Sequence, residues 1–400
     1  MEVIEYRVSR DSQKPAMHIF LTVVLGFVAA LWVLQAVRAA LGMPQLPNLK
    51  DATPLGDSEC PSVSVIFAAR DEEEKMPRAL ASMLAQDYPR YEVVAVDDRS
   101  RDATGRIIDE AAAQNSHLKP VHIEELPPGW LGKPHALQRG FEKSSGEWII
   151  FTDGDVRFAP DLARRAIGVA RKNGWDHLTL MGQLEVEGFW EKTAVMFFGL
   201  AFTLGVEPWK VSDPKSKKFM GGGFFQLVRR ASYEAVGGHA RLAMEVIEDM
   251  KLGKIIKEGG FRSGAGLALD YISLRWHAGI GNLVRGTTKN FFAAVNFNLA
   301  SVIGMVVGLL AMSVLPFAAV FLASGWARIF AGVAAGVAIT TECAAAYWFD
   351  MFPLYGLTHP LGALIFCWMI VRSTVVTLWQ GGIVWRGTFY RLEDLRKGLV

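Results

Sequence analysis

Three short segments of this 400-residue chain concentrate carboxylates where chemistry could be done. They read Ala69-Arg70-Asp71-Glu72-Glu73, Asp97-Asp98-Arg99-Ser100-Arg101-Asp102 and Asp153-Gly154-Asp155. Taken singly, each suits a solvated turn. Brought to one rim, the three would repel one another unless a cation or donor groups neutralised them. Oxygen ligands with no His or Cys beside them favour Mg²⁺ or Mn²⁺ over zinc. A hard cation held by few carboxylates keeps positions open for phosphate oxygens, which is the chemistry of a nucleotide diphosphate site.

The elements that must position these residues form an alternating series. Residues 62–68 predict a buried strand, 71–85 a helix with acidic residues in its first turn, and 91–96 a second strand. A helix over 102–115, a strand over 148–152 and a helix over 161–173 follow. Strand and helix in alternation imply an α/β fold with a mostly parallel sheet, in which ligands bind beyond the carboxyl ends of the strands. Each acidic segment stands directly after one of the strands. No G-x-G-x-x-G follows the first strand, which argues against a dinucleotide oxidoreductase.

With these segments in view, the chain resembles the family-2 glycosyltransferases of GT-A fold. The resemblance rests on Val63-Ser-Val-Ile with Ala69-Arg70, on Val96-Asp-Asp98 and on Asp153-Gly-Asp155. It extends through Gly132-Lys133-Pro-His-Ala-Leu137, the run Gly221-Gly222-Gly223, Gly237-Gly238-His239, Glu248-Asp249, Arg275-Trp276 and the tail Trp385-Arg-Gly-Thr-Phe-Tyr390. Within the family it is most similar to the membrane-bound subgroup of carotenoid (diaponeurosporenoate-type) and ceramide glycosyltransferases.

The resemblance implies a set of roles. Ala69, Arg70, Asp71, Glu72, Asp98, Lys133, Asp153, Arg275 and Trp276 would bind substrate, Asp98 through the nucleotide base and Lys133 through the donor diphosphate. Asp153 and Asp155 would form the DxD metal site, with Asp155 the more direct ligand. Asp249 would be the general base and Glu248 its understudy, so that the acceptor attacks the anomeric carbon directly and inverts it. Departures from the family pattern are Ile272 where the Gln of Q-x-x-R-W stands, Arg99 in place of a turn glycine, Ala68 for Pro and Asp71 for Asn. The missing Gln points to a non-processive enzyme. His135 and His239 lie inside motifs but read as structural histidines.

Composition places this chemistry at a membrane. The chain is 51% hydrophobic and 20% charged, with mean hydropathy +0.22, too apolar for an ordinary soluble globule. A net charge of +2 gives no global polyanion-binding signature of the kind a nucleic-acid protein shows, and three cysteines cannot form a disulfide framework or thiolate cage. Residues 19–37 carry no ionisable group and read as an uncleaved anchor. Apolar stretches over 290–327, 329–348 and 351–371 (with a possible continuation to 385) predict two or three further spans. The uncharged residues 193–206 are too few to cross and predict a buried or interfacial helix. Lys210, Lys215, Lys217 and Lys218 follow it, either as a solvated loop or toward anionic headgroups. Glu342 lies inside a span and needs a polar partner, with Arg372 the candidate.

The expected domains are an N-terminal tail and anchor over 1–42, a linker over 43–61, a GT-A domain over 62–290, membrane helices over 291–385 and a basic tail over 386–400. The expected function is a metal-dependent (Mg²⁺ or Mn²⁺), inverting transfer of a hexose from a nucleotide diphosphate sugar to a lipid acceptor in the bilayer. Nucleotide sugars are cytosolic, so the catalytic domain would face the cytoplasm of a multi-pass protein in a bacterial inner membrane. The alternatives are a processive polysaccharide synthase and a non-enzymatic scaffold or transporter with a degenerate nucleotide-binding domain.

Overall fold

A computed structural model describes residues 2–400, with side chains from residue 16 onward. By their contacts the residues fall into two units that interleave along the chain. One holds residues 1–41, 187–205 and 298–372; the other holds 42–186, 206–297 and 373–400.

The second unit is built on a sheet. Its strands, in chain order, are β1 (Val63–Ala69), β2 (Tyr91–Asp98), β3 (Leu118–Ile123), β4 (Trp148–Asp153), β5 (Arg157–Phe158), β6 (His177–Met181), β7 (Gln183–Leu184), β8 (Gln226–Arg229), β9 (Ser263–Leu267), β10 (Ile272–Leu274), β11 (Gly382–Trp385) and β12 (Thr388–Arg391). Seven of them form one sheet in the order β3-β2-β1-β4-β8-β6-β9, and only β8 runs antiparallel to its neighbours. Both faces are covered, so the strands are near-continuous apolar runs. Val65, Phe67, Val93, Ala95 and Ile150 face one core with the helices Met76–Leu84 and Leu162–Asn173. Ile66, Val94, Val96, Ile149 and Phe151 face the other, against Gly132–Lys143 and Glu248–Glu258. Register then fixes the rim: Ala69 lies beside Asp97, and Ala68 beside Asp153.

Local structure differs from the sequence expectation in three places. Residues 71–75 are a turn rather than helix, which begins only at Met76, because the amides of Asp71, Glu72 and Glu73 are bonded to Ser100, Thr104 and Asp102. The linker is packed: Leu49 and Cys60 are fully buried in the sheet core, and Asn48 bridges to Leu267. The tail after residue 385 is not a simple basic extension. β11 and β12 form a hairpin, followed by a helix over Leu392–Lys397.

The other unit is a set of apolar helices. Among the described residues four helices are long and apolar enough to cross a membrane: Ala16–Gln45, Phe189–Lys210, Gly325–Trp348 and Pro353–Gln380. A pair bent by 41°, Leu299–Ser313 with Leu315–Leu322, allows a fifth. The segment expected to be too short therefore qualifies, because Phe189 and Trp190 extend the helix ahead of the uncharged stretch. Small residues let the backbones approach. Ala327, Ala331, Ala334 and Ala338 are buried along one side of their helix, against Leu25, Val28, Ala29 and Trp32. Outward, Phe20, Phe27, Phe321 and Trp326 are exposed. Glu342 takes His359 as its partner, not Arg372, and both are fully buried. The last long helix ends at Gln380, so the expected continuation to residue 385 becomes a strand instead.

Candidate functional site

The ammonium of Lys133 organises the site. Gly132–Lys143 starts beside the carboxyl end of β2, where Gly132 leaves no room for a Cβ between its backbone and the side chains of Asp98 and Arg99. One residue on, Lys133 Nζ reaches Asp153 Oδ1 at 2.6 Å and Glu248 Oε1 at 2.7 Å. Asp153 closes β4, and Glu248 and Asp249 open the helix Glu248–Glu258, whose dipole favours carboxylates in its first turn. Burial opposes the charge on Lys133, but Asp153, Glu248 and Asp249 outweigh it and raise its pKa well above the usual value. Burial pushes Glu248 upward, against the pull of Lys133 and with added repulsion from Asp249.

The glycine run explains how the carboxylates come so close. The backbone passes directly under the helix Glu248–Glu258: a Cβ on Gly221 would strike the carbonyl of Asp249, and one on Gly253 the carbonyl of Met220. A Cβ on Gly223 would strike the Asp153 carboxylate, whose own amide donates to the Gly223 carbonyl at 2.8 Å. A small cleft is lined by Lys133, Gly222, Gly223, Gln226, His239, Glu248 and Asp249, with Leu137, Phe151 and Thr152 behind. His239 is buried and bonded to the Tyr233 hydroxyl at 2.8 Å; burial, then Lys133, push its pKa down to about 3, so it is a neutral structural residue.

Around this centre the other predicted residues take several positions. Asp155 lies 3.4 Å from Lys75 Nζ, and burial followed by repulsion from Asp153 lifts its pKa to about 6. Arg70 has a buried Nε without a protein acceptor, and Ala69 is buried at the end of β1. Asp71 laces two loops, accepting from the Arg101 amide at 2.8 Å while its own amide donates to Ser100 Oγ at 3.1 Å. The Asp98 carboxylate is held by Arg99 through two bonds, Nε at 2.7 Å and Nη2 at 3.0 Å. Arg275 follows β10 and donates to the Glu185 carbonyl at 2.6 Å; Trp276 stacks on His277 and packs against the sheet core.

Asp153 and Asp155 are the residues that could hold a divalent cation. Their donor set is hard oxygen, and the raised pKa of Asp155 marks a carboxylate lacking a full counter-charge, so the pair fits such an ion. Among the described residues no group of three His, Cys, Asp or Glu converges, so the remaining positions would fall to ligand oxygens and water.

The structure adds residues that sequence reasoning did not single out. Lys289 is buried within electrostatic range of the same acids: burial pulls its pKa down to about 8, partly offset by Glu248. Its ammonium stands 4.0 Å from the centre of the Trp385 ring and donates to Asn290 Oδ1 at 2.9 Å. The hairpin carrying Trp385 turns through Arg386 (φ +48°) and Gly387 (φ +76°), the left-handed pair of a two-residue turn. Arg386 pairs with Glu72, and the Gly132 amide donates to the Tyr390 hydroxyl at 3.3 Å. Three residues of one hairpin thus meet three separate loops of the site. The tail motif was the available signal; Lys289 had none.

Residues 64–236 match the profile of Glycosyl transferase family 2. A 4,4'-diaponeurosporenoate glycosyltransferase of Staphylococcus haemolyticus is 27% identical over 232 residues, covering 57% of this chain and 60% of the relative's length. A protein of the same name from Staphylococcus aureus (strain USA300) is 22% identical over 351 residues, covering 83% and 89%. Among solved structures, mannosyltransferase PcManGT from Pyrobaculum calidifontis, in complex with GDP-Man and Mn²⁺, superposes with a TM-score of 0.54 at 18% identity, over 91% of this chain and 99% of that one. The sheet order, the acidic rim at its strand ends and these matches lead to one assignment: the chain carries a glycosyl transferase family 2 domain of GT-A fold.

Proposed function

We propose that this protein is an inverting, non-processive glycosyltransferase that moves a hexose from a nucleotide diphosphate sugar to a hydroxyl or carboxylate of a lipid in the bilayer. The observation that carries this reading is the Lys133 ammonium shared between Asp153 and Glu248, with Asp249 beside them. Donor-side and acceptor-side acids then lie within reach of one cation. Lys133 and the buried Nε of Arg70 bind the donor diphosphate and Asp98 the base, while Arg275 and Trp276 contact the substrates from the far end of β10. Asp249 takes the proton of an acceptor hydroxyl as its oxygen attacks the anomeric carbon from the face opposite the leaving diphosphate, a single displacement that inverts the centre. Glu248 holds the Lys133 ammonium from the acceptor side. A carboxylate acceptor arrives already ionised and asks only for positioning. Mg²⁺ or Mn²⁺ held by Asp153 and Asp155 would supply charge neutralisation for the departing nucleoside diphosphate.

The relatives' name, which specifies a carboxylate acceptor, and the GDP-Man and Mn²⁺ of the mannosyltransferase complex support the reading. The apolar helices support a multi-pass protein that meets its acceptor in the membrane, because drawing a long chain into water costs about 0.8 kcal/mol per CH₂. The cytosolic origin of nucleotide sugars puts the catalytic domain, over about 62–290, in the cytoplasm of a bacterial inner membrane, between the anchor and the later helices.

The test uses membranes containing the wild type or Asp249→Asn, a panel of radiolabelled nucleotide sugars, and Mn²⁺, Mg²⁺ or chelator. Label enters the organic extract only with wild type and metal, and with one donor. Equal extraction by both proteins overturns the base assignment, and label in an aqueous polymer overturns the non-processive reading.

A further inference from the structure

The hairpin β11–β12 has two different faces. Paired residues of an antiparallel ladder share a face, so Ile383 with Tyr390 and Trp385 with Thr388 lie on one side, and Val384 with Phe389 and Gly382 with Arg391 on the other. The first face is committed to the site: Ile383 and Tyr390 are buried, Trp385 faces Lys289, and the Tyr390 hydroxyl receives the Gly132 amide. On the second face Gly382 is buried and Arg391 is exposed and paired with Glu393, and between them two apolar side chains are uncovered. Val384 is 57% exposed and Phe389 50%.

We propose that this outer face is seated in the interfacial layer of the bilayer, making the hairpin the element that carries the catalytic site down to the membrane surface. Two observations name lipid as the occupant. The hairpin starts two residues after Gln380, where a helix long and apolar enough to cross a membrane ends, so the chain has no length in which to leave the headgroup layer. The end of that helix and the hairpin face share one composition. Trp379 is 84% exposed and Leu378 is exposed beside it, and Val384 and Phe389, a few residues on, are likewise exposed apolar side chains, a composition suited to an aromatic belt. Arg391, on the same face and paired with Glu393 at 3.3 Å, can lay its stem along the apolar pair with its charged end in the polar layer. Bilayer contact deepens the proposed function, since a lipid acceptor would reach Lys289 and the Glu248–Asp249 edge along this hairpin.

The test reads position rather than catalysis, so it stands apart from the transferase reading. Phe389→Cys and, separately, Val384→Cys are made in the full chain with Cys60, Cys343 and Cys367 replaced by Ala. Each is labelled with an environment-sensitive fluorophore and reconstituted in nanodiscs of phosphatidylethanolamine and phosphatidylglycerol. Spin-labelled lipid is expected to quench both probes while aqueous iodide does not. Quenching by iodide alone places the face in water and overturns the proposal. Quenching by neither means that protein covers it, a second copy included, and overturns it equally. As a second readout, Val384→Ser/Phe389→Ser should lose most transfer to bilayer acceptor while keeping donor binding, measured by nucleotide-sugar protection against thermal unfolding. Unchanged transfer counts against the proposal.

Discussion

Replacing Lys133 by Met removes the ammonium that bridges the Asp153 and Glu248 carboxylates. At 2.7 Å, in an effective dielectric of about 20, the Glu248 pair alone corresponds to an attraction of about 6 kcal/mol. Desolvation offsets much of that in the intact protein, but truncating one partner strands the other. Glu248 is 2% exposed, so the loss is expected to be about 3–5 kcal/mol. For domains of this class that lowers the thermal midpoint by roughly 6–20 °C, measured by intrinsic fluorescence in detergent. The pH dependence has a definite sign. Without Lys133 the folded protein holds a proton on Glu248 more tightly than the unfolded chain does, so stability rises as pH falls toward the ordinary carboxylate range. The deficit should therefore be largest near pH 8 and shrink toward pH 5. Adding Glu248→Gln removes the stranded charge and should restore at least half of the midpoint lost. A Lys133→Met midpoint within about 2 °C of wild type, or a double variant no more stable than the single one, would refute the reasoning.

Two further outcomes follow from buried groups and close contacts. His177 and His239 are held neutral by burial, their pKa values pushed down to about 4 and about 3, so the unfolded state takes up protons below pH 6.5 and each residue costs about 1.4 kcal/mol of stability per pH unit as pH falls toward those values. In denaturant titrations at pH 6.5 and 5, the stability gap between wild type and His239→Gln should narrow at the lower pH; parallel curves would contradict this. Gly221→Ala forces a Cβ against the Asp249 backbone, which cannot yield as a side chain would, and should destabilise by about 1–3 kcal/mol or more, whereas Gly199→Ala, with open space around it, should not lower the midpoint.

The strands that carry the site were readable because each is an apolar run ending in charge, and burial on both sheet faces admits few other arrangements. The helix over 71–85 was misjudged because its acidic residues are claimed by Ser100, Thr104 and Asp102, partners from a loop some 30 positions away that no local pattern reveals. The helix over 189–206 was judged by its uncharged stretch alone, although Glu191 is buried in its first turn.

Sequence by itself determined the kinds of residue present and their order: acids after strands, a lysine at a helix start, glycines where backbone must pass, and apolar runs suited to lipid. These are consequences of composition and period, which act over a few residues. Tertiary structure alone decided which charges share a proton's reach. Lys133 joins Asp153 to Glu248 across 95 positions of chain, and Arg386 returns from the far end to Glu72. Coulombic pairing and desolvation depend on distances through space, and those exist only once the sheet has brought its strand ends together.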